Sequence, residues 1–302
     1  MLRTILILVC TLLLIPISAV YFDVPLSEGQ SAVLKTLIFI YITIALLCFV
    51  VSEISQNYSQ VDKLWSIMPI VYTWFVAYSY HFDARLTLMA AVVTIWGIRL
   101  SFNFARKGGY SWIPWKGEED YRWAILRKQP LLSSRWVWAA FNLLFISFYQ
   151  QGLILLFTLP ALIATEGVGN PLSWLDYLAA FLIIGLVLIE TIADQQQYNF
   201  QTEKYRRIAK GEPLGEYSHG FVRTGLWKLS RHPNYTAEQS IWFVFYFFSV
   251  AATGRILNWT LAGSILLMLL FLGSSDFSEK ISFEKYKDYS EYQKRVKRFL
   301  PF

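Results

Sequence analysis

Long apolar segments constrain the fold of this chain more than any other feature of its sequence. A helix that crosses the hydrocarbon core of a bilayer needs roughly 20 apolar residues, and eight segments approach that length. Backbone polar groups inside a bilayer must be hydrogen-bonded within the chain, so each segment is expected to be a helix. The predicted spans are residues 2–21, 33–51, 64–80, 86–104, 136–159, 174–193, 238–253 and 259–273. The sequence therefore predicts an all-α, polytopic membrane helix bundle with about seven or eight transmembrane helices.

The composition argues against an ordinary soluble domain. Of the 302 residues, 55% are hydrophobic and only 16% are charged, whereas soluble domains carry about 25% charged residues. Cys10 and Cys48 both fall within apolar segments, so we interpret them as small buried hydrophobes and expect neither a disulfide nor a metal site. The first apolar segment lacks a clean cleavage site, which favours a retained helix over a signal peptide.

The distribution of Lys and Arg predicts how the helices are oriented. Cytoplasmic loops of membrane proteins are enriched in these residues. With the N-terminus in the cytosol and eight spans, all 27 basic residues except Lys35, Arg85 and Arg255 fall on the cytosolic side. Both termini are therefore expected in the cytosol. Anionic lipid headgroups account for the net charge of +6, so no nucleic acid partner is expected.

The predicted organisation is an N-terminal transmembrane hairpin over residues 1–60, followed by a second membrane domain over 61–302. Two long cytosolic loops, 105–135 and 194–234, are the places where a water-soluble ligand would be held. The cytosolic tail, 279–302, is basic and aromatic. We interpret it as an amphipathic surface helix, with a lid that folds over a site as the alternative.

Two further patterns refine the cytosolic loops. Residues 118–128 are typical of a short interfacial helix anchored by Trp123. Residues 195–210 keep helical spacing and are expected to continue the sixth span until glycine and proline end it.

A polar cluster is predicted at the cytosolic ends of the sixth and seventh spans. Glu190 and Asp194 are four residues apart and so share a helix face, and Asn234 and Glu238 repeat this spacing on the next helix. A carboxylate at membrane depth is costly unless it is paired or has a task. Two matched pairs on helices joined by one loop therefore favour a functional cluster over structural helix pairing.

Cationic residues precede the second of these helices. Pro233 fits a first helical turn, where its missing N–H is no loss. Free N–H groups at that N-terminus, beside Arg231 and His232, form a place that can hold an anion such as a phosphate. Arg223, in the preceding glycine-containing turn, adds a further positive charge.

Acidic residues near the second and third spans form another group of candidates. Glu53 lies near the inner end of the second span, and Asp62 lies just before the third. Nearby Trp and Arg residues are also typical of anchoring at the headgroup level, so both a functional role and an anchoring role stay open.

Five short motifs follow one another along the chain. They are Asp62-(x)2-Trp65, then Trp96-Gly97-Ile98-Arg99-Leu100, then Gly117-Glu118-Glu119-Asp120-Tyr121-Arg122, then Asp194-(x)2-Gln197, and finally Gly225-Leu226-Trp227-(x)3-Arg231-His232-Pro233-Asn234-Tyr235-(x)2-Glu238. Together they resemble a membrane family of unknown function that is related to the steroid 5-alpha-reductases, the 3-oxo-5-alpha-steroid 4-dehydrogenases. The resemblance covers nearly all of the chain after the first span.

The resemblance implies a helix bundle that binds NADPH at its cytosolic ends and reduces an activated carbon–carbon double bond in a sterol-like or other lipid substrate. Hydride would pass to the β carbon of an enone while a nearby acid polarises the carbonyl, and the catalytic candidates are Glu53, Asp62 and Tyr235. Residues 61–302 would then be the reductase-like membrane domain, in the inner membrane of a bacterium or the endoplasmic reticulum of a eukaryote. The implied cofactor-binding residues are Glu190, Asp194, Arg223, Arg231, His232, Asn234 and Glu238.

Two other functions stay open at this point. The isoprenylcysteine carboxyl methyltransferases and related phospholipid methyltransferases share the Arg-His-Pro-x-Tyr element and bind S-adenosylmethionine, but their paired Glu-Glu is replaced here by Glu279-Lys280. The chain also has Thr236-Ala237 where the reductase-like family has Phe-Gly, and the Gln-Glu pair of the steroid enzymes has no aligned counterpart. A non-enzymatic lipid-binding or scaffold protein that kept the bundle would fit these departures.

Overall fold

All regular structure in the described part of the chain is helical. The computed structural model describes residues 11–300 except 13, 15, 19, 22 and 114. Helix makes up 75% of it, and the described residues contain no strand, which confirms the predicted all-α class. The helices, numbered from residue 28 onward, are α1 (Glu28–Ser55), α2 (Gln60–Leu64), α3 (Met68–Ser79), α4 (Ala84–Ala105), α5 (Tyr121–Arg127), α6 (Arg135–Gly167), α7 (Trp174–Lys210), α8 (Pro233–Thr253), α9 (Leu261–Lys285) and α10 (Tyr289–Arg295).

Five of these helices are long and apolar enough to cross a bilayer, as judged by length and composition over the described residues. They are α1, α4, α6, α7 and α9. They fit a membrane protein whose apolar helix surfaces contact lipid, as predicted. Most of the first predicted span, 2–21, lies outside the described residues. The larger number of spans and the cytosolic position of both termini stay predictions.

Two predicted spans are not among the five, for different reasons. The third is represented by α3, which has 12 residues and is therefore about 18 Å long at 1.5 Å per residue, well short of roughly 30 Å of hydrocarbon. The seventh is represented by α8, which has 21 residues but begins with a polar segment that contains Asn234 and Glu238.

Two helical segments predicted in the loops between spans are present. The seven residues of α5 lie within the predicted interfacial segment 118–128, and α7 runs unbroken for 37 residues to Lys210. Gly211 follows with φ +67°, a left-handed conformation that suits glycine at a helix end.

The described chain divides into two compact units. Among the described residues, the first unit contains those from 11 to 181 and from 242 to 267, and the second contains those from 182 to 241 and from 268 to 300. Glu53 and Asp62 belong to the first unit, whereas all the other predicted site residues belong to the second.

Buried aromatic rings and close helix contacts form the core of the first unit. Trp96 and Trp242 are fully buried and meet edge-on with ring centroids 4.9 Å apart, and Phe157 lies 4.1 Å from Trp242. Gly97 lets α4 approach the preceding segment, because a Cβ there would lie 2.5 Å from the carbonyl oxygen of Ser66. Such contacts leave no room for a larger residue at this position.

Side-chain hydrogen bonds hold the loop between α7 and α8 against α7 in the second unit. Trp227 Nε1 donates to the Ala193 carbonyl at 3.0 Å, and the Leu226 N–H donates to Gln196 Oε1 at 2.9 Å. Gly225 has φ +61°, and a Cβ at this residue would overlap the Gln196 side chain. The loop therefore delivers residues 230–235 to the N-terminus of α8, next to α7.

Candidate functional site

Two neighbouring helices of the second unit bring their buried polar residues together. Asn234 Nδ2 donates to Asp194 Oδ1 at 3.1 Å, which joins α8 to α7. Glu190 lies one turn before Asp194 on α7, and Glu238 lies one turn after Asn234 on α8. All three carboxylate residues are only 4% exposed. The structure therefore gathers these four predicted residues on two adjoining helices, as their four-residue spacing indicates.

Arg231 and His232 are paired with a residue that the predicted cofactor site did not include. Glu279 on α9 accepts hydrogen bonds from Arg231 Nε at 2.7 Å and Nη2 at 3.0 Å, and it lies 2.8 Å from His232 Nε2. The Glu279 side chain is 4% exposed. This two-point contact with a guanidinium is the strong, directional form of ion pair. Because Glu279 accepts from both side chains, the guanidinium of Arg231 is not free to bind a phosphate in the way that the sequence suggests.

The C-terminal tail also contacts this segment through its backbone. The N–H groups of Arg231 and His232 donate to the carbonyls of Lys297 and Arg298 at 2.9 and 3.1 Å, and Thr236 Oγ1 donates to the Phe299 carbonyl at 3.0 Å. The predicted surface helix over 279–302 is therefore wrong. Instead α9 ends at Lys285, α10 is a separate short helix, and residues 296–300 fold back along residues 230–236.

An aromatic cluster supports the returning tail. Phe221, Tyr289 and Tyr292 are buried against one another, with Tyr286 packed beside them. Burial raises the pKa of both Tyr289 and Tyr292, so their hydroxyls stay neutral. The Tyr292 hydroxyl donates to the Trp227 carbonyl. The α7–α8 loop and the tail thus share one apolar support.

Tyr235, a predicted catalytic residue, is half-buried in the second unit. Its ring stacks on His232 with centroids 5.2 Å apart and an interplanar angle of 17°, and it meets Phe271 edge-on at 4.8 Å. Within the described residues its hydroxyl has no hydrogen-bond partner. The ring is therefore fixed, while the hydroxyl has donor and acceptor capacity to spare.

Arg223 is the exposed member of the predicted set. Its Nη2 contacts His219 Nε2, and His219 Nδ1 lies 2.6 Å from Asp288 Oδ2. This chain of contacts runs along the surface of the second unit. Unlike Arg231, Arg223 makes no ion pair with a carboxylate in the described part of the chain, so its other N–H groups can reach a ligand.

Asp62 lies in the first unit, on the short helix α2. Its Oδ2 accepts from Trp123 Nε1 at 3.2 Å. Burial raises the pKa of this carboxyl; the nearby charge of Asp120 acts in the same direction, and Arg122 opposes both. Asp62 therefore holds a proton more readily than an exposed aspartate does.

Glu53 lies at the end of α1, in the wall of a cavity in the first unit. Its Oε1 accepts from Asn142 Nδ2 at 2.8 Å. The cavity has a volume of about 430 Å³, and Arg127, Arg135 and Trp138 also line it. Glu53 thus faces cationic and aromatic side chains instead of apolar packing.

Metal ligation has no support in the described part of the chain, where no group of three or more His, Cys, Asp or Glu residues is arranged to hold an ion. Cys48 is free and buried, and Cys10 lies outside the described residues. The candidate site is therefore made of carboxylates, one amide and one phenol, with cations held beside it.

Comparisons with known proteins assign the chain to a family. The profile of the family described as "Protein of unknown function (DUF1295)" matches residues 48–296, a range that contains every predicted site residue. The chain is 36% identical over 269 residues to "Uncharacterized protein C594.04c" of Schizosaccharomyces pombe, which covers 83% of this chain and 74% of that protein. No solved structure matches the chain. Because the profile spans most of the sequence and the relative aligns over most of it, the chain belongs to the DUF1295 family of proteins of unknown function.

Proposed function

We propose that this protein is a membrane-embedded, NADPH-dependent reductase of an activated carbon–carbon double bond in a sterol-like or other lipid substrate. The observation that carries the proposal is the 3.1 Å hydrogen bond between Asp194 and Asn234, with buried Glu190 and Glu238 one turn away on the same two helices. Burying several carboxylates is costly unless they are paired or bind something. The cluster offers a polar ligand several carboxylates and an amide at one place in the second unit.

The residues of the cluster fit the sugar and amide parts of a dinucleotide. Asp194 and Glu238 can accept from ribose hydroxyls and amide N–H groups, and Asn234 can both donate and accept. Arg231 and His232 are held by Glu279. In this proposal they therefore position the N-terminus of α8, and the exposed Arg223 is the cation that meets the phosphates.

The chain's own acids would complete the reaction. Bound NADPH supplies a hydride to the β carbon of an enone. Tyr235, in the same unit as the cluster, has a half-buried hydroxyl with free hydrogen-bonding capacity, so it is the candidate for holding a proton toward the substrate carbonyl. Apolar helix faces would receive the rest of a lipid substrate.

The proposal includes the arrangement in the membrane. We propose that an even number of the predicted spans crosses the bilayer, so that both termini lie in the cytosol, where basic residues concentrate. The protein would then be a multi-pass integral protein of the bacterial inner membrane or the eukaryotic endoplasmic reticulum.

An S-adenosylmethionine-dependent lipid or isoprenylcysteine-type methyltransferase is the second candidate. One observation favours it: Glu279, which stands where that family has its acid pair, contacts both Arg231 and His232 of the shared Arg-His-Pro-x-Tyr element. The two parts of the methyltransferase pattern thus meet in the second unit although they are far apart in the sequence.

Ligand-dependent thermal unfolding of the detergent-purified protein separates these functions. A ligand at 100 times its Kd stabilises a folded protein by about 2.7 kcal/mol, so we expect NADPH to raise the Tm of the wild type. Asp194→Asn keeps an oxygen that can accept from Asn234 but removes the charge, and it is expected to abolish the NADPH shift. Glu284→Gln is the control, because its side chain is 65% exposed in the same unit.

Each alternative has its own outcome. A Tm shift with S-adenosylmethionine but not with NADPH supports the methyltransferase and overturns the reductase. No shift with either cofactor supports a lipid-binding or scaffold protein. A shift with NADPH that Asp194→Asn leaves intact places the cofactor elsewhere in the chain.

A further inference from the structure

A second polar site lies in the first unit, where α1 ends and α6 begins. The cavity of about 430 Å³ is lined there by residues of opposite charge, among them Glu53, Arg127 and Arg135. These residues come from three separate parts of the sequence. The mechanism proposed above uses none of the cations, so the cavity calls for an explanation of its own.

The charge of Arg127 is already balanced within the protein. Its Nη2 donates to Glu119 Oε2 at 2.7 Å, and its guanidinium covers the rings of Tyr58 and Trp138 at 4.8 and 5.5 Å. An arginine held by a carboxylate and two aromatic faces is a rigid part of the wall. It shapes the cavity but adds no net charge to it.

Glu53 and Arg135 leave one negative and one positive charge in the same cavity. Over the described residues, neither makes an ion pair, although Glu53 accepts from the neutral Asn142 amide. Arg135 is exposed at the first position of α6, where Ser134 makes no side-chain cap and the first N–H groups stay available to an anion. A ligand that matches this wall carries an anionic group and a cationic group.

The position of the cavity indicates a lipid headgroup. Both α1 and α6 are long and apolar enough to cross a bilayer, so the end of one and the start of the other lie at headgroup depth if they do. Ile54, which follows Glu53 in the chain, is 80% exposed, and Trp136, which follows Arg135, is 82% exposed. Exposed apolar side chains next to a polar cavity suit acyl chains joined to a charged head.

The chemistry of the wall distinguishes a primary amine from a quaternary one. A quaternary ammonium is recognised by open aromatic faces, but Arg127 already lies over one face of Tyr58 and one of Trp138, and these two rings pack edge-on against each other. A primary ammonium needs hydrogen-bond acceptors, and Glu53 has a second carboxylate oxygen to offer. We therefore propose that this cavity binds the headgroup of an ethanolamine glycerophospholipid, with the amine at Glu53 and the phosphate at Arg135 and the N-terminus of α6.

Native mass spectrometry of the full chain, titrated with phospholipids of identical acyl chains, tests this site. We expect phosphatidylethanolamine to bind at least tenfold more tightly than phosphatidylglycerol or phosphatidylcholine. Glu53→Gln should reduce the affinity for phosphatidylethanolamine to that of phosphatidylglycerol, and Arg135→Gln should weaken phosphatidylethanolamine at least tenfold. The matched controls are Glu28→Gln, at the other end of α1, and Lys128→Gln, an exposed cation after α5.

Several results would overturn the proposal. Equal binding of phosphatidylcholine removes the case for a primary amine, and tighter binding of phosphatidylglycerol removes the case for a zwitterion. Unchanged preference in both variants places the lipid elsewhere. If Glu53→Gln fails to fold because the contact with Asn142 is altered, Arg135→Gln decides, since Arg135 is exposed and its replacement leaves the core intact.

Discussion

Replacing Glu279 by alanine should detach the C-terminal tail from the start of α8. The carboxylate accepts four hydrogen bonds, two from Arg231 and one each from His232 and Gln293, at 2.7 to 3.0 Å. It is 4% exposed, and the Arg231 side chain is 10% exposed. The variant therefore leaves a nearly buried guanidinium without its counterion.

The size of the effect follows from these contacts. Removing one partner of a buried ion pair destabilises a protein by about 3–5 kcal/mol. Arg231 keeps the carbonyls of Gln293 and Val296 as acceptors, so we expect the lower end, about 3 kcal/mol. That value corresponds to roughly a 100-fold increase in the open population of the tail, since each 1.4 kcal/mol is tenfold.

Limited proteolysis measures the opening directly. Lys297 is exposed, but its carbonyl is bonded to the Arg231 N–H, so cleavage after Lys297 requires the tail to open. When opening is fast relative to cleavage, the rate follows the open population, and trypsin should therefore cut the variant about 100-fold faster. Glu284→Ala is the control, because this exposed residue of α9 makes only a 3.9 Å contact with Lys280, and such pairs contribute about 0–1 kcal/mol. Equal cleavage of the two variants would refute the reasoning.

Three further variants test the packing and charges of the fold. Asp176→Asn leaves the fully buried Arg85 without the carboxylate that it contacts at 2.8 Å, and thermal unfolding should show a loss of about 3–5 kcal/mol. Gly97→Ala puts a Cβ 2.5 Å from a carbonyl oxygen and should cost about 1–3 kcal/mol; Gly185→Ala, with nothing within 4 Å of its added Cβ, should not, and equal losses would contradict the packing argument. Asp62→Asn should be more stable than the wild type at neutral pH, because burial raises the pKa of Asp62 and folding disfavours its charged form. That advantage should shrink as the pH falls and the wild-type carboxyl is protonated, and an advantage that grows toward acid would contradict it.

Local spacing was enough to predict the polar cluster of the second unit. Glu190 and Asp194, like Asn234 and Glu238, are one helical turn apart, and helical periodicity alone puts each pair on one face. The loop between the two helices is closed by its own glycines, which are visible in the sequence. The contact between Asp194 and Asn234 therefore agrees with what the sequence indicates.

The sequence alone did not predict which residues pair when they are far apart along the chain. Glu279 is 48 residues from Arg231, and nothing in the local pattern distinguishes it from the other acids of a charged tail. Arg231 and His232 are predicted to bind phosphate from their positive charge and their place at a helix N-terminus, and neither feature shows which charges are already paired. The prediction of a surface helix for the tail fails because the backbone partners of the tail lie on another segment, which the local sequence does not reveal.

Hydropathy shows where apolar residues lie in the sequence, but it does not show where a helix begins and ends. The apolar segment 64–80 contains a helix of only 12 residues, because α3 begins at Met68, with Pro69 in its first turn, and ends at Ser79. His81 and Phe82 follow in the left-handed region, with φ +54° and +57°. Apolar residues continue past both ends of this helix, so a hydropathy window reads it as longer than it is.

Equilibrium binding of NADPH, followed by energy transfer from tryptophan to the reduced nicotinamide, tests the central claim most directly. We predict saturable binding to the detergent-purified wild type with a Kd in the micromolar range or tighter, a binding free energy of about −8 kcal/mol or better. Asp194→Asn should weaken it at least tenfold. Binding that is equally tight in Asp194→Asn, or no saturable binding to the wild type at all, would contradict the assignment of the Asp194–Asn234 cluster as the cofactor site.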